Sequence, residues 1–130
     1  MRRLQSRPGE ERSIMPTANV TMNVREAAPR VRVIDIEGEI TGFSEKEISA
    51  AHEEAAEGGV DAVVLNFEGL EYMNSGGIGL LVTTLIRAQR SGHRLMAYGL
   101  TDHYCQIFSL TRLDEAIEIF DDESAALAAV

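Results

Sequence analysis

Ser75 is the side chain around which chemistry is most readily built, because it is the one hydroxyl in Tyr72-Met73-Asn74-Ser75-Gly76-Gly77-Ile78-Gly79. The apolar run Val60 to Phe67 precedes it, and Ile78, Leu81, Val82, Leu85 and Ile86 follow at helical spacing. A strand, a short loop and a helix are therefore expected, with Ser75 at the helix N-terminus. Free backbone N–H groups and the positive end of the macrodipole make such a position tolerant of negative charge. Two roles fit. Asn74 or Ser75 could cap the helix, contributing ~1 kcal/mol. Alternatively Ser75 could accept a phosphate, which would add about −1.5 to −2 charge and three acceptor oxygens. On the residues alone the cap is the commoner reason for such a serine. Gly76 and Gly77 are expected to leave the backbone open to a large partner.

Other chemistries fit less well. Gly77-Ile78-Gly79 follows a strand and opens a helix, but Val82 stands where a dinucleotide fingerprint needs its third glycine. No Gly-Lys-Ser/Thr is present for a P-loop. Ser75 with Gly77 half matches a nucleophile elbow, yet Met73 occupies the first glycine position. Asp102 and His103 point about 100° apart on a helix and make a poor triad remainder. His52, His93 and His103 are scattered, and His103 and Cys105 fall on different helix faces. Nothing has structural zinc spacing, so surface histidines and a buried small cysteine are expected. Asp121-Asp122-Glu123 lacks calcium-loop spacing and suits a helix start. No catalytic residue, cofactor or metal site is expected.

The elements that position Ser75 are legible as a series. Val20, Met22 and Val24 alternate with polar residues, as in a half-exposed edge strand. Ala27 to Arg30 turns the chain into a second strand, Val31 to Glu37, closed by Gly38 and paired with the first as a hairpin. Ser44-Glu45-Lys46-Glu47 has a capping-box pattern. The helix it opens is expected to run to Glu57 and stop at Gly58-Gly59, burying Ile48, Ala51 and Ala55. Val60 to Phe67 suits a central parallel strand. A hydrophobic helix over 77 to 90 ends at Ser91-Gly92. Then come a strand from Leu95 to Tyr98, a short helix from Asp102 to Leu110 burying Tyr104, Ile107 and Phe108, a strand from Ala116 to Phe120, and a final short helix. This alternation predicts an α/β domain with parallel pairs.

The 130 residues allow one domain with a core. Residues 1 to 17 have no apolar period and read as a flexible N-terminal extension, leaving 18 to 130 as the domain. The net charge is −9; the first twelve residues contribute +2, which leaves −11 on the rest. Such a body repels nucleic acid and anionic membranes and suits a basic protein partner. No apolar run approaches ~18 residues and no secretory signal is evident. Cys105 is the only cysteine, in keeping with a reducing cytoplasm.

Three blocks resemble the STAS domain (sulphate transporter and anti-sigma factor antagonist), and within it the small bacterial anti-anti-sigma factors. Gly38-Glu39-Ile40 is similar to the family's turn after the second strand. Val63 to Gly79 resembles its strand plus Asp/Asn-Ser-Ser/Thr/Gly-Gly-Leu/Ile-Gly signature. Arg94 to Leu100, with Ile107, Phe108 and Leu113, resembles the strand and helix downstream. The resemblance covers about residues 18 to 128. It implies a mixed five-stranded sheet with helices packed on one side, and a phosphorylatable serine at Ser75. It also implies a non-enzymatic antagonist that binds a serine-kinase anti-sigma factor when unphosphorylated and so frees a sigma factor. The kinase would phosphorylate Ser75 from ATP, and a metal-dependent serine phosphatase would reset it. The partner surface implied comprises Tyr72, Met73, Asn74, Ser75, Gly76 and Gly77, with Ile40 and Thr41 nearby. A cytoplasmic monomer or weak dimer is expected. The chain departs from the family in three places: Asn74 stands where many members have Asp, Gly76 where many have Ser or Thr, and Thr41 where many have Asp. The alternatives are a non-switching STAS scaffold or transporter-associated module, and a small nucleotide-binding enzyme.

Overall fold

The computed structural model describes residues 19–130; the expected N-terminal extension lies outside them. The strands are β1 (Val20–Ala28), β2 (Val31–Ile40), β3 (Ala62–Met73), β4 (Arg94–Tyr98) and β5 (Glu118–Phe120). The helices are α1 (Glu45–Ala55), α2 (Ser75–Ser91), α3 (Asp102–Leu110) and α4 (Glu123–Ala128). Single 3-10 turns occupy Gly42–Ser44 and Leu113–Glu115.

The strands form one sheet in the order β1-β2-β3-β4-β5. β1 pairs antiparallel with β2 across a tight turn in which Arg30 takes a left-handed φ of 62°. The other three pairings are parallel, because each is bridged by a helical crossover. β1 is an edge strand whose alternating burial matches the pattern of Val20, Met22 and Val24.

Strand alternation divides the core in two. Ile34, Ile36, Val63, Leu65, Phe67 and Leu95 face α1, α2 and α3, and meet Ile48, Ala51, Leu81, Ala88 and Phe108. Phe67 and Phe108 pack edge to face, with centroids 6.4 Å apart. Val31, Val33, Val64, Met96 and Tyr98 face the other way, under Ala126 and Leu127 of α4. Three helices thus share one side, and the short α4 covers part of the other.

Several local expectations are corrected. β3 does not end at Phe67 but runs to Met73, through register shifts between Asp35 and Glu37 and between Gly38 and Glu39 of its partner β2. The Asn66 side chain accepts from the Glu68 N–H at 2.9 Å where the chain departs from regular pairing. The capping box at Ser44 is not formed. Ser44 is fully buried and its Oγ accepts from the Thr41 N–H, while Thr41 Oγ1 accepts from the Phe43 N–H. The box therefore caps the 3-10 turn instead of α1. α1 ends at Ala55, two residues early. His52 and His93 are not surface residues: both are buried, with their Nε2 atoms 3.0 Å apart. Ile107 and Cys105 are half-buried.

Candidate functional site

β4 pairs with β3 only as far as Asn66, opposite Tyr98. Beyond that point β2 and β3 continue together, with β1 alongside β2 only as far as Gly38, and end as a two-stranded ribbon in which Glu39 lies opposite Tyr72 and Ile40 opposite Met73. The ribbon delivers two chain segments side by side: Ile40-Thr41-Gly42, leading to the 3-10 turn, and Met73-Asn74-Ser75, leading into α2. The Asn74 N–H donates to the Ile40 carbonyl at 3.2 Å. From the far side, Tyr104 on α3 accepts the Met73 N–H on its hydroxyl at 2.8 Å.

Asn74 is the N-cap of α2. Its Oδ1 accepts from the Gly77 N–H at 3.0 Å and its carbonyl from the Ile78 N–H. Ser75 is the first helical residue and is exposed. Its Oγ takes part in no hydrogen bond among the described residues. The N–H groups of Ser75 and Gly76 precede the first intrahelical bond, so this end of α2 keeps free donors beside the hydroxyl.

The two glycines serve packing more than access. A Cβ on Gly76 would lie 2.8 Å from the Gly42 backbone N, and one on Gly77 would lie 2.4 Å from the Ile40 carbonyl oxygen. Only bare backbone lets α2 start this close to the end of β2. Gly76 is exposed but Gly77 is buried, as are Ile40 and Met73. Of the residues expected at a partner surface, Tyr72, Ser75 and Gly76 are exposed, and Asn74 and Thr41 are half-exposed. Ile40, Met73 and Gly77 instead form the floor beneath them. Phe43 was not among the expected residues. It sits on the 3-10 turn next to Gly42 and is 62 % exposed; an aromatic residue just before the helix starting at Glu45 is the only sequence sign of it. Two exposed aromatics thus stand in the segments that meet at Ser75: Phe43 on the 3-10 turn and Tyr72 near the end of β3.

No group of three or more His, Cys, Asp or Glu side chains arranged to hold a metal occurs among the described residues. No helix there is long and apolar enough to cross a membrane. Burial pushes the Cys105 thiol up from its ordinary pKa, with Asp102 and Asp121 adding to the shift, which works against a nucleophilic thiolate.

Comparison with known proteins bears on this arrangement. Residues 22–126 match the STAS domain. An anti-sigma-B factor antagonist of Staphylococcus aureus is 24% identical over 86 residues, covering 66% of this chain and 80% of the relative. Among solved structures, the Bacillus cell fate determinant SpoIIAA in its phosphorylated form superposes with a TM-score of 0.65 at 21% identity, covering 85% of this chain and 100% of that one. A sulfate transporter family protein from Wolinella succinogenes superposes with a TM-score of 0.70 at 17% identity, covering 81% and 88%. At such identities the structural matches establish the fold, and the match over residues 22–126 establishes the kinship: this chain belongs to the STAS domain family.

Proposed function

We propose that this chain is a cytoplasmic anti-sigma factor antagonist, a binding module and not an enzyme. Unphosphorylated, it binds a serine-kinase anti-sigma factor and thereby releases a sigma factor; phosphorylation of Ser75 from ATP ends the interaction, and a metal-dependent phosphatase restores it. The observation that carries this reading is the division of labour at the start of α2: Asn74 caps the helix, and the exposed Ser75 hydroxyl has no hydrogen-bond partner among the described residues. A side chain with no local duty is free to be modified without cost to the fold.

The physics of such a switch is direct. A phosphate on Ser75 would meet free N–H groups and the positive end of α2, so the domain tolerates it. A partner packed against bare Ser75, Gly76, Tyr72, Thr41 and Phe43 does not. It would have to desolvate a dianion inside an apolar contact, with no space for three added oxygens. SpoIIAA, which shares the fold, has been solved in both unphosphorylated and phosphorylated forms, in keeping with a fold that survives the modification.

The test is a binding assay against the serine-kinase anti-sigma factor of the same cell, with and without ATP. Wild type should lose binding when ATP is supplied. Ser75→Ala should bind and stay bound. Ser75→Asp should fold yet bind weakly, although a single charge mimics a dianion poorly. If both variants behave as wild type in both conditions, the switch reading fails. The sulfate transporter family neighbour supports a second reading, a non-switching STAS module associated with a transporter. Absence of phosphoserine at Ser75 in protein recovered from cells, by mass spectrometry, would favour it.

A further inference from the structure

A cleft lies between α1 and α2, on the part of the helical layer far from Ser75. Eight basic side chains occur among the described residues. Arg25, Arg30, Arg94 and Arg112 each form an ion pair. Arg32 donates to the Ala55 and Glu57 carbonyls. The other three, Lys46, Arg87 and Arg90, form no ion pair among the described residues, and all three line one cleft between α1 and α2. In a body that carries −11 outside its first twelve residues, three cations at one place with no carboxylate partner among the described residues are not expected from composition.

The cleft has a volume of about 680 Å³, within the range of about 300–1,000 Å³ typical of small-ligand sites. Arg87 is held across it by donating to Ser49 Oγ on α1 at 2.9 Å. The buried His52 and the hydroxyl-bearing Ser91 also line it. Glu53 and Glu57 line it too. Glu53 lies seven residues beyond Lys46 on α1, about 10 Å along the axis at the usual helical rise. Glu53 is one turn beyond Ser49, so an anion is best placed toward Lys46 and Arg87. The lining contains no Phe, Tyr or Trp, so it offers no platform for a stacked base. Arginine forks match phosphate oxygens in pairs.

We propose that this cleft between α1 and α2 binds a small phosphorylated anion. The acidic body around it selects against long polyanions. A nucleic acid or an anionic membrane would bring many further charges against a negative surface, whereas a compact ligand stays within the cationic cleft. Arg87 is twelve residues along α2 from Ser75, about 18 Å away, so occupancy would not touch the Ser75 surface directly.

The probe is inorganic pyrophosphate, titrated into the full chain at low ionic strength without divalent metal and followed by two-dimensional NMR. Saturable shifts should concentrate in residues 46–57 and 87–91. Arg87→Gln with Arg90→Gln should weaken binding about tenfold or more, since each removes a charge-assisted contact. Arg112→Gln, a cation already ion-paired elsewhere, should leave it unchanged, as should Ser75→Ala. Three results would each overturn the proposal: no saturable shift up to about 10 mM pyrophosphate, where affinity would be negligible; equal binding by the double variant; or co-sedimentation with anionic phospholipid vesicles in place of pyrophosphate binding.

Discussion

Asn74 and Ser75 are neighbours with opposite duties. The Asn74 carboxamide closes the first turn of α2, whereas the Ser75 hydroxyl closes nothing. Asn74→Ala should therefore destabilise the domain by about 1 kcal/mol, while Ser75→Ala should change stability by only a few tenths, about what an exposed surface change costs. Urea unfolding of the two variants in parallel checks this. Equal losses would mean that Ser75 shares the cap. Gly77 makes the complementary point. An added methyl there meets the Ile40 carbonyl oxygen, which cannot move without breaking the start of the site. Gly77→Ala should cost about 1–3 kcal/mol, as overpacking does, and weaken partner binding as well, although Gly77 itself is buried.

At the scale of elements, the β2–β3 ribbon beyond the end of β4 is the device that builds the site. β1 flanks it only as far as Gly38, so the tip, Glu39-Ile40 beside Tyr72-Met73, has no third strand and leans on α3. There the Tyr104 hydroxyl accepts the buried Met73 N–H at 2.8 Å. Tyr104→Phe keeps the ring against the core and removes only the acceptor. It should cost about 1–3 kcal/mol, the penalty for an unpaired buried donor. Hydrogen exchange should show the Met73 amide losing protection ahead of the strand centre at Val64 and Leu65. If Met73 and Leu65 exchange in step, α3 does not hold the ribbon tip.

Over the whole molecule, titrating groups on both sides of the sheet make stability depend on pH. On the helical side, burial, then the neighbouring His93 and Arg87, lower the His52 pKa from 6.5 to about 4; burial lowers that of His93 as well. Above 6.5 these imidazoles are neutral in both folded and unfolded chains and add no pH dependence. Between 6.5 and about 4 the unfolded chain takes up protons that folded His52 refuses, so stability falls as pH falls through this window. On the opposite side, Arg25 clamps Asp35 and Glu123, and the Tyr98 hydroxyl donates to Glu123. The hydrogen bond from Arg25 is the largest influence holding both carboxylates below their ordinary range. Their contribution is complete above the usual carboxylate pKa and is lost only as pH falls through their lowered values. Denaturant titrations at about pH 7.5 and about pH 5 should thus show wild type weakening before the carboxylates titrate. His52→Gln should show a flatter profile across the same interval. An unchanged slope would mean that the imidazole pair is not the source.

The sequence by itself determined the order of elements and the place of Ser75, because both rest on local periodicity. Val20 to Val24 alternate, Val60 to Phe67 run apolar, α2 repeats at helical spacing, and Gly92 ends α2 in the left-handed region with φ 80°. The α/β class follows from that alternation, and the STAS resemblance rests on the signature through Gly79. Only the tertiary structure decided what depends on residues far apart in the chain. The continuation of β3 through Glu68-Gly69-Leu70 was hidden because loop-like residues pair there with β2 through shifted register. The need for Gly76 and Gly77 came from Gly42 and Ile40 across the ribbon, not from the loop that contains them. The meeting of His52 with His93, and the gathering of Lys46, Arg87 and Arg90, arise where α1 and α2 pack beside each other. Periodicity reports which face of an element is buried; it does not report which partner that face meets, and at those meetings this protein's polar and charged groups acquire their chemistry.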